Sequence, residues 1–459
     1  DRETGMTLKL DDINMALSGE MYGTSTDLEV TGGVGDFSVR YGDIRYISKW
    51  TLETRTLLNV DYEKLDIRIS ENELQLNQLP LEVNGGIQIP GDSLLFDLDL
   101  KSKTSGFDNL LSMVPPEYAS YLEDFETNGN ATLSGKMEGV YYEENYPAFQ
   151  LDMIVENGSL QYTGLPEGIK NISGNISITK RQGDLDLTEV KIENAHAEVK
   201  NNPVDFQLMI NQIISDPYFD GGLKGKLNFS DLKSALPMDS VFLAGFVDAD
   251  VMVKGHYSAI EKEEYSRIQS EGTVLLSGFA YDSPELTRQV LIPEGKLEFS
   301  PRDVTLSQFR MNVGQSDFNL SGKVFNYLGY YFSDASLSGD LEMNSSLVNL
   351  NELLRLQKSD EVMGKESPDE QEPEKAESLA FDIPGNIDFA FRSSIRRVVF
   401  DQLPVSDVRG LITAQNGKLM LDGLSMQMLD GRLELNGSYW NTSEDQPFFD
   451  FGLDASRFD

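Results

Sequence analysis

The side chains with the greatest potential for chemistry are few in this sequence and lie far apart. Histidine occurs only at His196 and His256, and cysteine does not occur. Zinc sites and nucleophile–base triads need several histidine, cysteine or acidic side chains that converge at one place. Two isolated histidines without a thiol predict no catalytic, cofactor-binding or metal-binding residue. We therefore expect a protein that is not an enzyme and uses no cofactor.

A second group of candidate residues consists of three Asp-x-Asp pairs: Asp97/Asp99, Asp184/Asp186 and Asp248/Asp250. Such pairs place two carboxylates on one face of a strand, where they can bind calcium or act as acid and base in glycoside hydrolysis. Their sequence neighbours are apolar, as Leu98 and Leu100 are, so we interpret the carboxylates as the solvated face of amphipathic strands. The glycine-rich stretch Gly32–Asp36 lacks the lysine and the following helix of a phosphate loop, and it predicts a turn.

The elements that carry these residues are predicted to be β-strands. Between Gly295 and Val324 apolar and polar residues alternate, and a period of two residues is typical of a strand with one apolar face. The alternation slips by one residue between Leu306 and Phe309. A two-residue hairpin loop would keep the apolar side chains of both arms on one side of the sheet, and a β-bulge within one strand is the alternative.

The same apolar pattern occurs four times, with starts at Leu74, Leu185, Val304 and Leu419 that are 111, 119 and 115 residues apart. In the fourth copy the two-residue gap is Asp422-Gly423, a dipeptide typical of type I′ turns, which favours the hairpin over the bulge. The apolar positions of the four copies are the candidate binding positions: Leu74, Leu76, Leu79, Leu81, Leu185, Leu187, Val190, Ile192, Val304, Leu306, Phe309, Met311, Val313, Leu419, Leu421, Leu424, Met426 and Met428.

Short leucine-rich segments separate these copies. They begin at Phe107, Phe229 and Leu347, and each predicts a short helix followed by further strands. A helix with several strands forms a repeating unit, and such units share one continuous sheet. We predict a partial first repeat at 1–106 and further repeats at 107–228, 229–346 and 347–459. The last repeat contains residues 357–379, an acidic, proline-containing segment that predicts a disordered loop.

The composition limits the fold class and the partners. The 459 residues carry a formal net charge of −38, and 39% of them are hydrophobic. Repulsion at this charge argues against a nucleic-acid partner. No run approaches the ~18 apolar residues of a membrane span, so we expect any membrane anchor to lie outside the given sequence. Three short helices cannot cover so many strands, and we predict a mostly β protein: an elongated, curled antiparallel sheet, or β-taco, with an apolar groove.

A family resemblance is carried by the stretch "GLITAQNGKLMLDGLSMQMLDGRLELNGSYW", residues 410–440, and by the "PFFDFGLDASRFD" that ends the chain. Together with the repeated leucine-rich turns, this sequence resembles the periplasmic repeat region of the AsmA-like family, the AsmA/TamB superfamily of bacterial envelope proteins. The resemblance implies a periplasmic segment tethered to the inner membrane of a Gram-negative envelope and a curled sheet with a hydrophobic groove. It also implies a role in lipid transport between inner and outer membrane and in outer-membrane biogenesis, with an outer-membrane partner.

An apolar groove fits such a role on physical grounds. Each methylene of an acyl chain that leaves water contributes about 0.8 kcal/mol without any specific polar site. We therefore expect the candidate binding positions to line a groove that binds phospholipid or another acyl-chain lipid. One alternative is a passive β scaffold, or an assembly factor for outer-membrane proteins, whose inner face is an ordinary core. Another is an extracellular adhesin or polysaccharide-binding module, for which the aromatic cluster Tyr327–Phe332 is the nearest feature.

Overall fold

The computed structural model describes residues 6–41, 44–102, 105–113, 124–232, 235, 241–284, 286–333, 335–355, 383–401, 403–441 and 447–456, and every structural statement below concerns these residues. Strands make up 75% of the structure and helices 8%, and the 25 strands of the described part of the chain pair mainly antiparallel. The mostly β fold class that the alternation predicted is confirmed.

Contacts between residues divide the chain into two compact units. One unit consists of Asp1–Leu223 with Ser234–Pro237, and the other of Lys224–Lys233 with Met238–Asp459. The predicted repeat boundary at 228/229 lies close to this division. The predicted boundaries at 106/107 and 346/347 fall inside the units and stay predictions.

The first unit is built from long strands: β1 Met6–Tyr22, β2 Ser25–Tyr41, β3 Ile44–Asp61, β4 Asp66–Leu76, β5 Leu79–Gln88, β6 Leu94–Ser102, β7 Ser105–Gly106, β8 Phe125–Tyr141, β9 Ala148–Tyr162, β10 Ile169–Lys180, β11 Thr188–Val199 and β12 Asn202–Asn211. Consecutive strands from β1 to β6 and from β8 to β12 pair antiparallel. Helix α1 (Phe107–Leu111) follows β7, and both β6 and β7 pair antiparallel with β8. The helix therefore lies in the connection between β7 and β8 and contacts both strands. Strand β13 (Tyr218–Asn228) spans the division between the units.

The second unit begins with helix α2 (Phe229–Leu232) and continues with these strands: β14 Phe242–His256, β15 Gln269–Asp282, β16 Val290–Phe299, β17 Asp303–Val313, β18 Ser316–Phe325, β19 Leu337–Ser345, β20 Val348–Asn349, β21 Ile387–Phe400, β22 Leu403–Gln415, β23 Lys418–Met428, β24 Gly431–Asn441 and β25 Pro447–Ser456. Its other helices are α3 (Tyr257–Glu261), α4 (Tyr327–Ser333) and α5 (Leu350–Leu353). Helices α1, α2 and α5 correspond to the three predicted leucine-rich segments. None of the helices in the described part of the chain is long and apolar enough to span a membrane.

One connection in the second unit differs from all the hairpins. Strands β19 and β20 run parallel to β21, with Leu337 opposite Ile387 and Val348 opposite Val398. A parallel pair needs a crossover of a dozen or more residues, because the chain must return to the start of the neighbouring strand. The predicted acidic loop at 357–379 belongs to this crossover and lies outside the described residues. The topology therefore requires a longer link here than at the hairpins.

The repeated two-residue gap has its predicted structure in the first copy. Strand β4 ends at Leu76 and β5 begins at Leu79, and the two residues are a cross-strand pair. Asn77 in the turn has a φ of 51°, a conformation that asparagine tolerates better than most residues. The hairpin is therefore real at this position.

The third and fourth copies form β-bulges instead, so the hairpin prediction is wrong for them. In β17, Leu306 lies opposite Gly322 and Phe309 opposite Leu320, so that three steps along β17 match two along β18. Strand β23 shows the same shift against β24, and its Gly423 has a φ of 58°. A bulge and a two-residue hairpin leave the same parity slip in a sequence, because both keep the flanking apolar residues on one face.

The second copy is not a strand at its start. Leu185–Leu187 is a single turn of 3-10 helix, capped by the Asp184 carboxylate, which accepts a hydrogen bond from the Asp186 amide at 2.6 Å. The Asp186 carboxylate in turn accepts hydrogen bonds from the amides of Ile214 and Ser215, both at 3.0 Å. The strand interpretation of the Asp184/Asp186 pair is therefore wrong, since both carboxylates cap backbone amides in a turn.

The predicted turn at Gly32–Asp36 is also wrong, because these residues lie inside β2. A Cβ atom on Gly32 would lie 2.0 Å from the carbonyl oxygen of Asn14 on β1. Glycine within a strand marks such a close approach of a neighbouring backbone. Glycine at position 32 therefore allows the backbone of β1 to approach closely.

Candidate functional site

In the first unit the cross-strand pairs place apolar side chains on one face of the sheet, named here the apolar face. Pairs on this face extend from the first strands to the last: Leu17–Val30, Leu52–Leu76, Leu74–Leu81, Met153–Ile176 and Ile178–Val190. Residues between them, such as Glu53 and Gln75, lie on the opposite face and are exposed. The alternation of the sequence thus produces one continuous apolar surface over β1–β12.

A local irregularity in β1 keeps its apolar side chains on this surface. In β1, Asp12 has a φ of 53°, and the alternation shifts there by one residue. Leu10 nevertheless pairs with Phe37, and Ile13 pairs with Val34, so both pairs lie on the apolar face. Irregularities that re-aim side chains are typical of curved sheets.

The apolar face is almost free of charge. Among its described paired residues on β1–β12, Lys180 at the end of β10 is the only Asp, Glu, Lys or Arg. The formal net charge of the whole chain is −38. The acidic residues among the described pairs of β1–β12 therefore lie on the opposite, polar face, and the sequence pattern separates charge from apolar surface.

Lys180 is buried, with 3% of its surface exposed, and its ammonium group is bonded within the protein. Nζ donates hydrogen bonds to the carbonyl oxygens of Tyr146, Arg181 and Gly183 at 3.1, 2.9 and 3.2 Å. These three acceptors use all the donors of an ammonium. Burial lowers the pKa of Lys180. The ammonium group of Lys180 thus links the β8–β9 and β10–β11 turns, and its hydrogen bonds to their carbonyl oxygens use all of its donors.

The second unit has an apolar face of the same kind. Its pairs include Val247–Leu276, Leu297–Leu306, Met311–Phe318, Leu341–Phe391 and Leu424–Leu435. None of the described paired residues on this face, from β14 to β25, is Asp, Glu, Lys or Arg. Charged residues are thus rare on the apolar face of the first unit and absent from the described paired residues on that of the second.

Parts of the apolar face are closed by the protein itself. In the first unit Leu79, Leu81 and Leu133 form a buried cluster, and Leu79 is 1% exposed. Partly buried neighbours surround it: Leu74, Leu76, Leu100, Leu151 and Met153. Beside this cluster the side-chain amide Nδ2 of Asn77 donates a hydrogen bond to the carbonyl oxygen of Ser112, just after α1, at 2.7 Å. This part of the face is an ordinary core.

A second closed cluster lies in the second unit. Its buried members are Val348, Ile395, Val398, Val405, Val408 and Leu424. Leu350 and Leu353 of α5 pack against it, as do Met426 and Met428 of β23. The helix therefore covers the apolar side of the sheet where the parallel strands meet.

Elsewhere the apolar face is open. On β1, exposed members are Leu8, Leu10, Ile13, Met15 and Leu17, with exposed fractions from 43% to 66%. On β25 in the second unit, Phe449, Phe451 and Leu453 pair with apolar-face residues of β24 and are also exposed. Contiguous exposed apolar surface of this kind is typical of binding sites in soluble proteins.

The structure brings some of the candidate binding positions together and separates others. The four leucines of the first copy lie in the closed cluster of the first unit, and Leu421, Leu424, Met426 and Met428 lie in that of the second. Leu419 packs instead against Ile383, Ala414 and Tyr439. On β17, Val304, Leu306 and Val313 are buried, while Phe309 and Met311 are half-buried. Val190 and Ile192 lie on the apolar face of β11, and Leu187 is exposed beside it in the 3-10 helix.

Two groups of functional interest were missed in the sequence. The exposed stripe of β1, from Leu8 to Leu17, follows the same alternation with one slip and was detectable by the same pattern. The buried cluster members on β21 and β22, such as Val398 and Val405, follow the pattern less clearly, since Arg396 and Arg397 interrupt it. Lys180 carried no sequence feature that marked it as buried.

The residues proposed for other chemistry do not converge. The described residues contain no group of three or more His, Asp or Glu that could hold a metal ion. His196 on the polar face contacts the carboxylates of Asp205 at 2.7 Å and Glu198 at 3.2 Å. Asp97 and Asp99, like Asp248 and Asp250, are exposed on the polar face between half-buried neighbours, as the alternation predicted.

The aromatic cluster Tyr327–Phe332 forms most of helix α4. Tyr327 is packed against Phe299, with ring centroids 5.7 Å apart. Tyr331 is 81% exposed, and its ring meets that of Phe332 edge to face at an angle of 89°. Two perpendicular rings do not form the flat platform on which a sugar ring stacks.

Comparison of the chain with protein-family models, with curated proteins and with solved structures found no match.

Proposed function

We propose that the chain binds the acyl chains of phospholipid on the open part of its apolar face. In this proposal it serves as a periplasmic segment of an AsmA-like envelope protein that moves lipid between the inner and the outer membrane. The observation that carries the lipid-binding proposal is the exposed part of the apolar face on β1, where none of the exposed apolar-face side chains is charged.

An acyl chain needs no more than such a surface. It offers no hydrogen-bonding group along its length, and each methylene removed from water contributes about 0.8 kcal/mol. A charged side chain on the surface would have to lose its hydration when an acyl chain covered it, at a cost of several kcal/mol. An exposed apolar surface without charge, such as that of β1, therefore favours contact with lipid tails.

The cellular part of the proposal rests on the sequence resemblance. It includes a tether to the inner membrane outside the given sequence, an outer-membrane partner and a contribution to outer-membrane biogenesis. The polar face supports a position in aqueous surroundings, because the exposed acidic residues of the strands lie there.

The passive scaffold is the second candidate function, and the closed clusters favour it. Leu79 and Leu424 are 1% and 6% exposed, so the apolar face at these positions has no room for a ligand. A scaffold would extend this closure to the whole face. The two functions therefore differ in whether the apolar face of β1 binds lipid or is covered as part of a core.

A matched pair of variants on β1 tests the proposal. Met15→Asp adds a negative charge to the open apolar face, and Asn14→Asp adds the same charge to the polar face one residue away. Each variant and the unchanged chain are incubated with phospholipid vesicles and re-isolated, and bound phospholipid is measured by mass spectrometry. We expect Met15→Asp to lose most of the bound lipid at unchanged thermal stability, and Asn14→Asp to retain it.

Absence of bound lipid from the unchanged chain would contradict the proposal, and so would equal binding by both variants. Either result would favour the scaffold.

A further inference from the structure

Strand β1 is an edge strand in the described part of the chain. It is 17 residues long and contains no proline. One of its sides pairs with β2, and no strand pairs with its other side among the described residues. The N–H and C=O groups that point outward from such an edge form a template for a further strand, and natural edges are commonly protected by short length or by proline. Since β1 has neither protection, it is open to pairing.

The apolar residues of β1 are arranged symmetrically about the point between residues 11 and 12. On either side of this point the apolar-face residues stand at the same distances: Leu10 and Leu8 in one direction, Ile13 and Met15 in the other. In a regular strand, residues three positions apart lie on opposite faces. The shift of the alternation at residue 12, where φ is 53°, brings residues 10 and 13 to the same face. The apolar pattern around this point therefore reads the same in both directions.

A strand with such a pattern can be its own partner in an antiparallel pair. Residues that lie opposite each other in an antiparallel pair point to the same face of the sheet. A two-fold axis between residues 11 and 12 places Leu10 opposite Ile13 of a second copy, and Leu8 opposite Met15. Apolar residues then meet apolar residues on both sides of the axis. A register changed by one residue would bring apolar residues opposite polar ones.

From this symmetry we infer that β1 pairs antiparallel with β1 of a second copy of the chain. A two-fold axis perpendicular to the sheet leaves the apolar faces of both copies on the same side, so the two faces continue into each other. The inference goes beyond the proposed lipid binding and does not rest on it. Strand pairing uses the backbone groups at the edge of β1, whereas lipid would contact the side chains of its apolar face.

Charge near the axis opposes this pairing and makes it depend on salt. In the inferred register Asp11 of each copy lies opposite Asp12 of the other, and like charges directly opposite destabilise a strand pair. Lys9 offsets part of this charge, since its Nζ lies 2.5 Å from a carboxylate oxygen of Asp11 and 3.2 Å from one of Asp36. Each chain also carries a formal net charge of −38. We therefore expect the pairing to strengthen as salt is added.

Disulfide cross-linking tests the register, because the chain has no cysteine of its own. Thr7→Cys and Ala16→Cys each add one thiol at an exposed position of β1. In the inferred pair, residue 7 of one copy lies opposite residue 16 of the other, within the Cα separation of about 4.4–6.8 Å that a disulfide needs. Two copies of the same position lie about 30 Å apart along the strands, given a rise of ~3.4 Å per residue.

The two thiol variants are oxidised alone and as an equal mixture, and dimers are measured on non-reducing gels. The salt concentration is about 1 M, where the Debye length is ~3 Å and repulsion between the chains is screened. We expect the mixture to give about tenfold more cross-linked dimer than either variant alone, because only unlike thiols come within disulfide distance.

Two double variants with the same change in net charge test the position of the axis. In both thiol variants, Asp11→Asn with Asp12→Asn removes the opposed carboxylates, and asparagine tolerates the positive φ of residue 12. The control is Glu53→Gln with Glu73→Gln, at exposed positions of β3 and β4. At low salt we expect the first change to raise the cross-linked fraction of the mixture about threefold or more, because it relieves repulsion between opposed residues. The control should leave it nearly unchanged.

Three outcomes overturn the inference. Cross-linking of the mixture that is no greater than that of the single variants contradicts the symmetric pairing of β1. A dimer formed equally well by one thiol variant alone shows a different register. An equal gain from the Asp11/Asp12 change and from the Glu53/Glu73 change shows that net charge alone governs association, and that the axis does not lie between residues 11 and 12.

Discussion

Two regions of the first unit have the same apolar pattern and opposite environments. Leu79 on β5 and Leu17 on β1 both lie on the apolar face, yet Leu79 is 1% exposed and Leu17 is 66% exposed. Both strands alternate apolar and polar residues in the same way. The alternation of a sequence thus determines which face a side chain occupies, and it carries no information on whether that face is covered.

The cover comes from residues far away in the chain. Leu79 and Leu81 touch Leu133 of β8, more than 50 residues later, together with leucines of β6 and β9. Strand β1 pairs on one side with β2, and no partner on its other side is present in the described part of the chain. The curl of the sheet and the hairpin connections decide which apolar residues meet, so closed core and open surface coexist on one face.

The largest expected effect is on stability, and it tests the comparison at the two leucines themselves. Leu79→Ala removes a fully buried side chain, and we expect it to lower the free energy of unfolding by about 2–5 kcal/mol. Leu17→Ala removes an exposed one and should change that free energy by less than about 0.5 kcal/mol. Urea denaturation of both variants measures the difference. Equal effects would mean that the β1 stripe is as closed as the cluster.

The sequence predicted the face of most residues on these strands, and the reason is physical. Side chains alternate across a strand with a period of two, so the face is a local property that any strand reveals. The same slip in the pattern is a hairpin at Asn77-Gln78 and a bulge at Ser307-Gln308, because the choice depends on where the partner strands run. Coverage depends on contacts between distant strands, which no local pattern contains. That is why the candidate binding positions include both core residues and half-buried ones.

Lys180 sharpens the comparison, because it is the one charge among the described paired residues on the apolar face of the first unit. Lys180→Met fills the space with an apolar side chain and leaves three carbonyl oxygens without their donor. We expect a loss of about 1–3 kcal/mol in the free energy of unfolding, the usual cost of buried polar groups that lose a partner. Lys136→Met, on the exposed polar face of β8, serves as the control and should be nearly neutral. A more stable Lys180→Met variant would show that the cation is only tolerated there.

The bulge of β23 offers a smaller test in the second unit. Gly423 has a φ of 58°, and a Cβ at this position would meet nothing within 4 Å, so conformation alone opposes a side chain. We expect Gly423→Ala to cost about 1 kcal/mol of stability, since the left-handed conformation disfavours residues with a Cβ by roughly this amount. Gly452 on the open strand β25 is the control, because its nearest contact would be 3.8 Å away. Thermal unfolding of the two alanine variants measures the difference, and equal losses would contradict the bulge.

The smallest expected effect concerns the polar face and comes from His196. The carboxylates of Asp205 and Glu198 raise the pKa of His196, which lies opposite Asp205 on the neighbouring strand. A raised pKa in the folded state means that protonation stabilises the fold. This contribution is fully present below the unfolded-state pKa of about 6.5 and is lost as the pH rises through the higher folded-state pKa.

Replacement of this histidine should therefore matter only at low pH. We expect His196→Gln to lower the unfolding temperature slightly at pH 5.5 and to have no effect at pH 8.5, with a contribution below about 1 kcal/mol, as is usual for exposed ion pairs. Lipid binding on the apolar face should be unchanged at both pH values, because His196 lies on the opposite face. Loss of bound lipid in a folded His196→Gln variant would show that the two faces are coupled. A change on the polar face would then alter lipid binding on the apolar face, although the two faces carry different kinds of residue.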